Sequence, residues 1–184
     1  WNSSAGSPPE TALEPADDLA ADLAAWREGA ALVEHDGELL ELSGPDRLRL
    51  LDGLVTAEVK TVAPGSAVSG FFTSGQGRIL ADFRLLALPE RCWLALPVGS
   101  AEAIGAHLEK YRIASRVEIS KVENRCLFEI RGPRAGEVAA AARELVSAAE
   151  DQGVIFAEGG SFFLLPGASS VGELLMQRLR AGPA

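Results

Sequence analysis

The chain has 184 residues, of which 47% are apolar and 23% charged, with a formal charge of -9 and a pI near 4.8. That acidity argues against a protein that grips nucleic acid by bulk electrostatics. No apolar run approaches the roughly 20 residues of a membrane-crossing helix, so the sequence reads as a soluble globular chain, of cytoplasmic type, with ordinary core material.

The opening "WNSSAGSPPETALEPADD", residues 1–18, is rich in small residues, proline and acid. It has neither the positive start nor the apolar centre of a signal peptide and reads as a disordered or vector-derived tail. In "LAADLAAWREGAALVEH", Leu19, Leu23 and Trp26 stand at helical spacing, which predicts a helix that opens the fold. "GELLELSG" then predicts a short strand through Leu39, Leu40 and Leu42. After it, Gly44-Pro45 leads into a helix with Leu48, Leu51, Leu54 and Val55 on one face. Proline suits a first helical turn, Ser43 is the expected N-cap, and Asp46 complements the helix dipole.

"SAVSGFFTSGQGRILADFRLLALPERCWLALP" predicts three strands separated by turns at Gly75-Gln76-Gly77 and Pro89-Glu90. "SGQGRIL" is glycine-rich but runs into a strand and lacks the lysine-serine/threonine ending of a phosphate loop. "SAEAIGAHLEKYRI" predicts a helix, and "SRVEIS" a closing strand. From Arg125 the order repeats. "CLFEIRGPRAGEVAAAARELVSA" gives strand, Gly132-Pro133 and helix, and "GVIFAEGGSFFLLPG" gives two strands about a Gly159-Gly160 turn. "SSVGELLMQRLRAG" gives a second helix.

Two copies of a β-α-β-β-α unit follow, which makes the fold α+β: two related ferredoxin-like halves with antiparallel sheets, at residues 19–122 and 123–184. The first copy ends in a strand and the second does not. An open sheet edge is therefore expected in the second half, to be closed by sequence beyond Ala184 or by another molecule.

The blocks "REGAALVEHDGELLELSGPDRLRLLDGLVTAEV", "PGSAVSGFFTSGQGRILADFRLLAL" and "LEKYRIASRVEI", in this order, resemble the YgfZ/GcvT folate-binding superfamily, over roughly residues 20 to 180. The order is closest to the YgfZ-like branch. That resemblance implies a folate, tetrahydrofolate above all, in a channel among α+β subdomains. It implies support of iron–sulfur cluster assembly or repair and of the tRNA modification that depends on it. The implied partners are iron–sulfur proteins or assembly factors and a C-terminal remainder of the same protein; membrane and strong nucleic-acid partners are not expected. Two alternatives stay open: a tetrahydrofolate-dependent aminomethyltransferase like the glycine cleavage T-protein, and an interaction domain without ligand.

The resemblance also carries candidate residues. Asp82 matches one of two adjacent acids in the T-protein, where the catalytic aspartate belongs to the pair; here the pair reads Ala81-Asp82. A carboxylate there holds a proton or stabilises a developing cation, and the competing reading is a solvent-facing strand aspartate. Glu158 resembles a glutamate that accepts from a pterin's adjacent N–H groups, or is a turn residue. Thr56 matches a family threonine, with satisfaction of backbone groups as the plainer role. Tyr111 and Arg112 lie in a basic strip with Lys110, Arg116, Lys121 and Arg125 that suits a folate's anionic tail or a solvated helix end. Cys92 and Cys126, and the isolated His35 and His107, have no ligand neighbours at useful spacing, so no metal is expected.

Overall fold

The computed structural model describes residues 27–123, 125, 127–148 and 154–165. In chain order the elements are β1 (Ala31–His35), β2 (Glu38–Ser43), α1 (Arg47–Asp52), β3 (Ala67–Thr73), β4 (Ile79–Ala87) and β5 (Arg91–Leu96). Then come α2 (Ala101–Tyr111), β6 (Glu118–Val122), β7 (Leu127–Arg131), α3 (Ala135–Ala148), β8 (Val154–Glu158) and β9 (Ser161–Leu165). The strands form two antiparallel sheets, ordered β3-β4-β5-β2-β6 and β1-β7-β9-β8. The α+β class with antiparallel sheets is as the sequence led one to expect.

Both Gly-Pro junctions turn the chain from strand to helix on a glycine with positive φ, +101° at Gly44 and +121° at Gly132. L side chains avoid that conformation. At Gly44 a Cβ would also collide with the carbonyl oxygen of Arg116. The details of α1 differ from expectation. Its N-cap position is Asp46 rather than Ser43, and no side chain caps it. The Asp46 carboxylate instead accepts from the backbone N and Nε of Arg116, at 3.0 and 3.2 Å, and these bonds hold it below the usual carboxylate range. Leu50, Leu51 and Leu54 supply the buried face.

Each sheet has one face under helices and the other toward its neighbour. On the first, Leu40, Leu42, Phe83, Leu85 and Leu94 meet Leu51 of α1 and Ile104 and Leu108 of α2. On the second, Phe128 and Ile130 meet Ala135, Ala139 and Ala142 of α3. Between the sheets lie Leu39, Leu86 and Trp93 of the first against Leu127, Phe156 and Phe163 of the second. A further backbone link, Ala157 N to Gly65 O at 3.1 Å, joins the sheets beside β3.

Two expectations are corrected by β1. The helix predicted over "LAADLAAWREGAALVEH" does not reach His35: the chain bends at Gly29, and Ala31–His35 is a strand. Its first part, with Leu19, Leu23 and Trp26, lies outside the described residues. The edge of the second half is also not open. In the first half the strands of the repeat stand in the order β6-β2-β5-β4; in the second, β1-β7-β9-β8. So β1 occupies the place that β6 fills in the first half, paired antiparallel to β7 from Ala31↔Arg131 to His35↔Leu127. An unpaired row of N–H and C=O groups is satisfied by any strand that reaches it, whatever its position in sequence. The boundary at residue 122 therefore does not coincide with the sheets. The helix predicted at "SSVGELLMQRLRAG" and Cys126 lie outside the described residues.

Candidate functional site

Alternation along β4 decides which side chains face the gap between the sheets. Ala81, Phe83, Leu85 and Ala87 pack into the helix-covered core, so Asp82, Arg84 and Leu86 point the other way. The register with β3 sets Phe71 opposite Asp82, Ser69 opposite Arg84 and Ala67 opposite Leu86. Leu86 and Ala67 are sealed beneath Phe156 and Phe163. Further along the same strands the apolar filling ends and a cavity of about 760 Å³ opens, lined among others by Asp82, Phe71, Arg84, His35, Arg125 and Leu127. Its size is that of a cofactor or small-molecule site. Asp82 is exposed toward it, and Phe71 beside it is 44% exposed.

Glu158 does not line this cavity. Its carboxylate accepts from the backbone N and Oγ of Ser69 at 2.7 and 2.9 Å, and from Nε of Arg84 at 3.3 Å. The Arg84 guanidinium in turn lies 4.1 Å from the centre of the Phe163 ring. Glu158 thus ties β8 to β3 and β4, and its acceptor positions toward these strands are taken. The sequence reading missed His35 and Glu129. Glu129 is buried, 1% exposed, on the inter-sheet face of β7, and it accepts from His35 Nε2 at 2.8 Å and from Arg131 Nε. Burial pushes the Glu129 carboxyl up, but the bonds from Arg131, His35 and Ser161 together outweigh it and hold it below its ordinary value.

The GCVT N-terminal domain family matches residues 11–157. The chain belongs to this family. The resemblance read from the sequence, to the YgfZ/GcvT superfamily, agrees with this assignment. Among curated relatives, the iron-sulfur cluster assembly factor IBA57 homolog, mitochondrial, of Phaeosphaeria nodorum is 29% identical over 102 residues, 51% of this chain and 24% of that protein. A probable aminomethyltransferase of Natronomonas pharaonis is 29% identical over 112 residues, 58% of this chain and 31% of that one. The chain therefore covers less than a third of either relative. The fold is also that of the glycine cleavage system aminomethyltransferase T from Bartonella henselae, with TM-score 0.68 at 23% identity, covering 85% of this chain and 48% of that one. A chain of the heterotetrameric sarcosine oxidase from Corynebacterium sp. U-96 shares it more distantly, with TM-score 0.51 at 18% identity over 91% of this chain and 94% of that one.

Within this GCVT N-terminal domain, the remaining candidates part company. Thr56 exchanges two bonds with Phe71: its Oγ1 accepts from the Phe71 backbone N, and its own backbone N donates to the Phe71 carbonyl, each at 3.0 Å. It positions the residue whose ring borders the cavity. Tyr111 and Arg112 end α2, on the helix-covered face of the first sheet, across that sheet from Asp82. Tyr111 packs on His107 at 5.0 Å, with Lys110 Nζ 5.3 Å from its ring centre. Burial first and the charge of Lys110 second hold His107 below the usual imidazole range. Arg112 donates to the Val117 carbonyl and pairs with Glu109, both at 2.8 Å. Arg116 and Lys121 are likewise engaged, with Asp46 and Glu38. Of the basic strip, Arg125 alone borders the cavity, with its Cζ 5.2 Å from the Trp93 ring. Burial pushes the Cys92 thiol up to about 12, so it has no thiolate to offer a nucleophilic or ligand role. Among the described residues no group of three or more His, Cys, Asp or Glu has the arrangement of a metal site.

Proposed function

We propose that this domain binds tetrahydrofolate in the inter-sheet cavity and belongs to a YgfZ-like protein that supports iron–sulfur cluster assembly or repair and the tRNA modification that depends on it. The observation that carries the folate reading is the meeting of Asp82, Phe71 and Arg125 at one cavity of about 760 Å³. The residues fit such a ligand. Arg125 Nη1 is buried with no hydrogen-bond partner among the described residues, a donor suited to the carboxylates of an anionic tail. The Asp82 carboxylate accepts from N–H groups of a reduced pterin, and Phe71 offers a ring edge or face to it. Bound tetrahydrofolate supplies nitrogen atoms that carry one-carbon units.

Ala81 supports the accessory role over the transferase one. It is 8% exposed in the apolar core, where the second acid of a T-protein pair would need burial and a partner. The aminomethyltransferase reading is favoured by the Natronomonas relative's name and remains the competitor. Titration calorimetry of the full-length protein with tetrahydrofolate tests the binding: we expect saturable heat, and a loss of about tenfold in affinity on Asp82→Ala, the lower end for a hydrogen bond to a charged group, as suits a site open to water. No heat of binding would favour the interaction-domain reading. Formation of methylenetetrahydrofolate from an aminomethyl donor would favour the transferase. Lowered activity of iron–sulfur enzymes in cells without the gene is the outcome expected of the accessory role.

A further inference from the structure

We infer that His35 is a ligand-binding residue of the inter-sheet cavity, presented in one tautomer by the buried Glu129 so that Nδ1 accepts a hydrogen bond from a ligand N–H. The inference rests on the reduced-pterin reading above and adds a residue to it. Glu129 is 1% exposed and ionised, so toward His35 it can only accept. The 2.8 Å contact therefore places the proton on Nε2. A neutral imidazole so held has its lone pair on Nδ1, and no described residue donates to that atom. His35 lies on the inter-sheet face of β1, beside Leu127 in register, and lines the same cavity as Asp82. Arg131 fixes the other Glu129 oxygen, so the carboxylate cannot swing away to follow the imidazole.

The charged groups around His35 come from several elements. Asp36 lies on the link to β2, and Glu38, paired with Lys121, begins β2; from β4 come Asp82 and Arg84, the latter paired with Glu158. Arg125 precedes β7, and Glu129 and Arg131 lie on it. Protonation of His35 turns Nδ1 from acceptor to donor, which sets two donors against each other at the ligand.

The test uses the full-length protein. In the free protein, nitrogen NMR of His35 should show the Nε2–H tautomer in the neutral state; the Nδ1–H tautomer would overturn the inference without any ligand. Calorimetry with tetrahydrofolate should show roughly three- to tenfold weaker binding for His35→Gln, which keeps a donor toward Glu129 but has no acceptor at the Nδ1 position. His35→Asn restores an acceptor near that position and should bind more tightly than His35→Gln. A thermal melt of each variant checks that it is folded. Wild-type binding with Asp82→Ala weakened but both His35 variants unchanged overturns this inference alone. Absence of wild-type binding overturns both it and the reading on which it rests.

Discussion

The two sheets reach one strand order by different routes. The first closes its β2 edge with β6, the strand that follows it in its own repeat; the second closes the equivalent β7 edge with β1, which precedes the whole first repeat. The first pairing stays within one repeat, across 75 to 83 positions, and the second joins β1 to the second repeat across 92 to 100, which brings His35 to Glu129. The crossing is short. From His35 the chain passes to the first sheet through Asp36 and Gly37, and at Gly37 a Cβ would lie 2.6 Å from the Leu96 carbonyl oxygen. The difference teaches that a ferredoxin-like order is a requirement on hydrogen-bonded edges rather than on chain connectivity. The borrowed strand also brings His35 to the cavity wall, where the buried Glu129 of β7 holds it from behind.

The largest expected effect comes from breaking β1. Alternate N–H groups of a strand point to its partner, so of Val33→Pro and Glu34→Pro together one must remove a ladder bond to β7. Amide exchange should show β7, β8 and β9 losing protection while β4, β5 and β6 keep theirs; equal loss in both sheets would mean that the halves fold as one unit and that β1 is no special dependency.

Glu129→Ala should cost about 2 kcal/mol, since it removes a buried acceptor shared by two donors, His35 and Arg131, which are exposed enough to regain water. The pH dependence follows from the same group. Its carboxyl is held below the ordinary value of 4.5, so its contribution is complete above that pH and is lost as pH falls through the depressed value. Acid should therefore loosen the second sheet ahead of the first, and Glu129→Gln should abolish that lead. Exchange protection followed from pH 6 down to 3 checks it.

The paired glycines sharpen the comparison at smaller scale. Gly44→Ala and Gly132→Ala each place a Cβ on positive φ, at about 1–2 kcal/mol. Gly44→Ala should be the worse of the two because of the Arg116 carbonyl beside it, and urea midpoints of the variants would show a difference. The smallest effect belongs to Thr56→Val, which deletes the bond to the Phe71 backbone N and should cost about 1 kcal/mol in stability, with only a slight loss of ligand affinity. A large affinity loss with unchanged stability would instead make Thr56 a ligand contact.

The sequence by itself determined the local grammar of this protein. Gly44-Pro45 and Gly132-Pro133 announced strand-to-helix turns because only glycine is at ease at those φ values. Gly159-Gly160, with φ of +56° and +89°, announced the β8–β9 hairpin for the same reason, and apolar spacing placed α3 in "AGEVAAAARELVSA". Alternation in "ILADFRLLA" was enough to separate Asp82 from the core residues beside it. Only the tertiary structure decided the rest. Nothing in the periodicity of "ALVEH" says which edge it will join, because backbone donors and acceptors are the same on every strand. Gly29, read within a helix, in fact ends one. The basic residues near Tyr111 looked like one strip, yet the sheet separates Tyr111 and Arg112 from Asp82, and only Arg125 reaches the cavity. His35 and Glu129 each looked unremarkable. They meet because β1 and β7 pair in one register, and a one-residue slip would turn Glu129 from the inter-sheet gap into the helix-covered core.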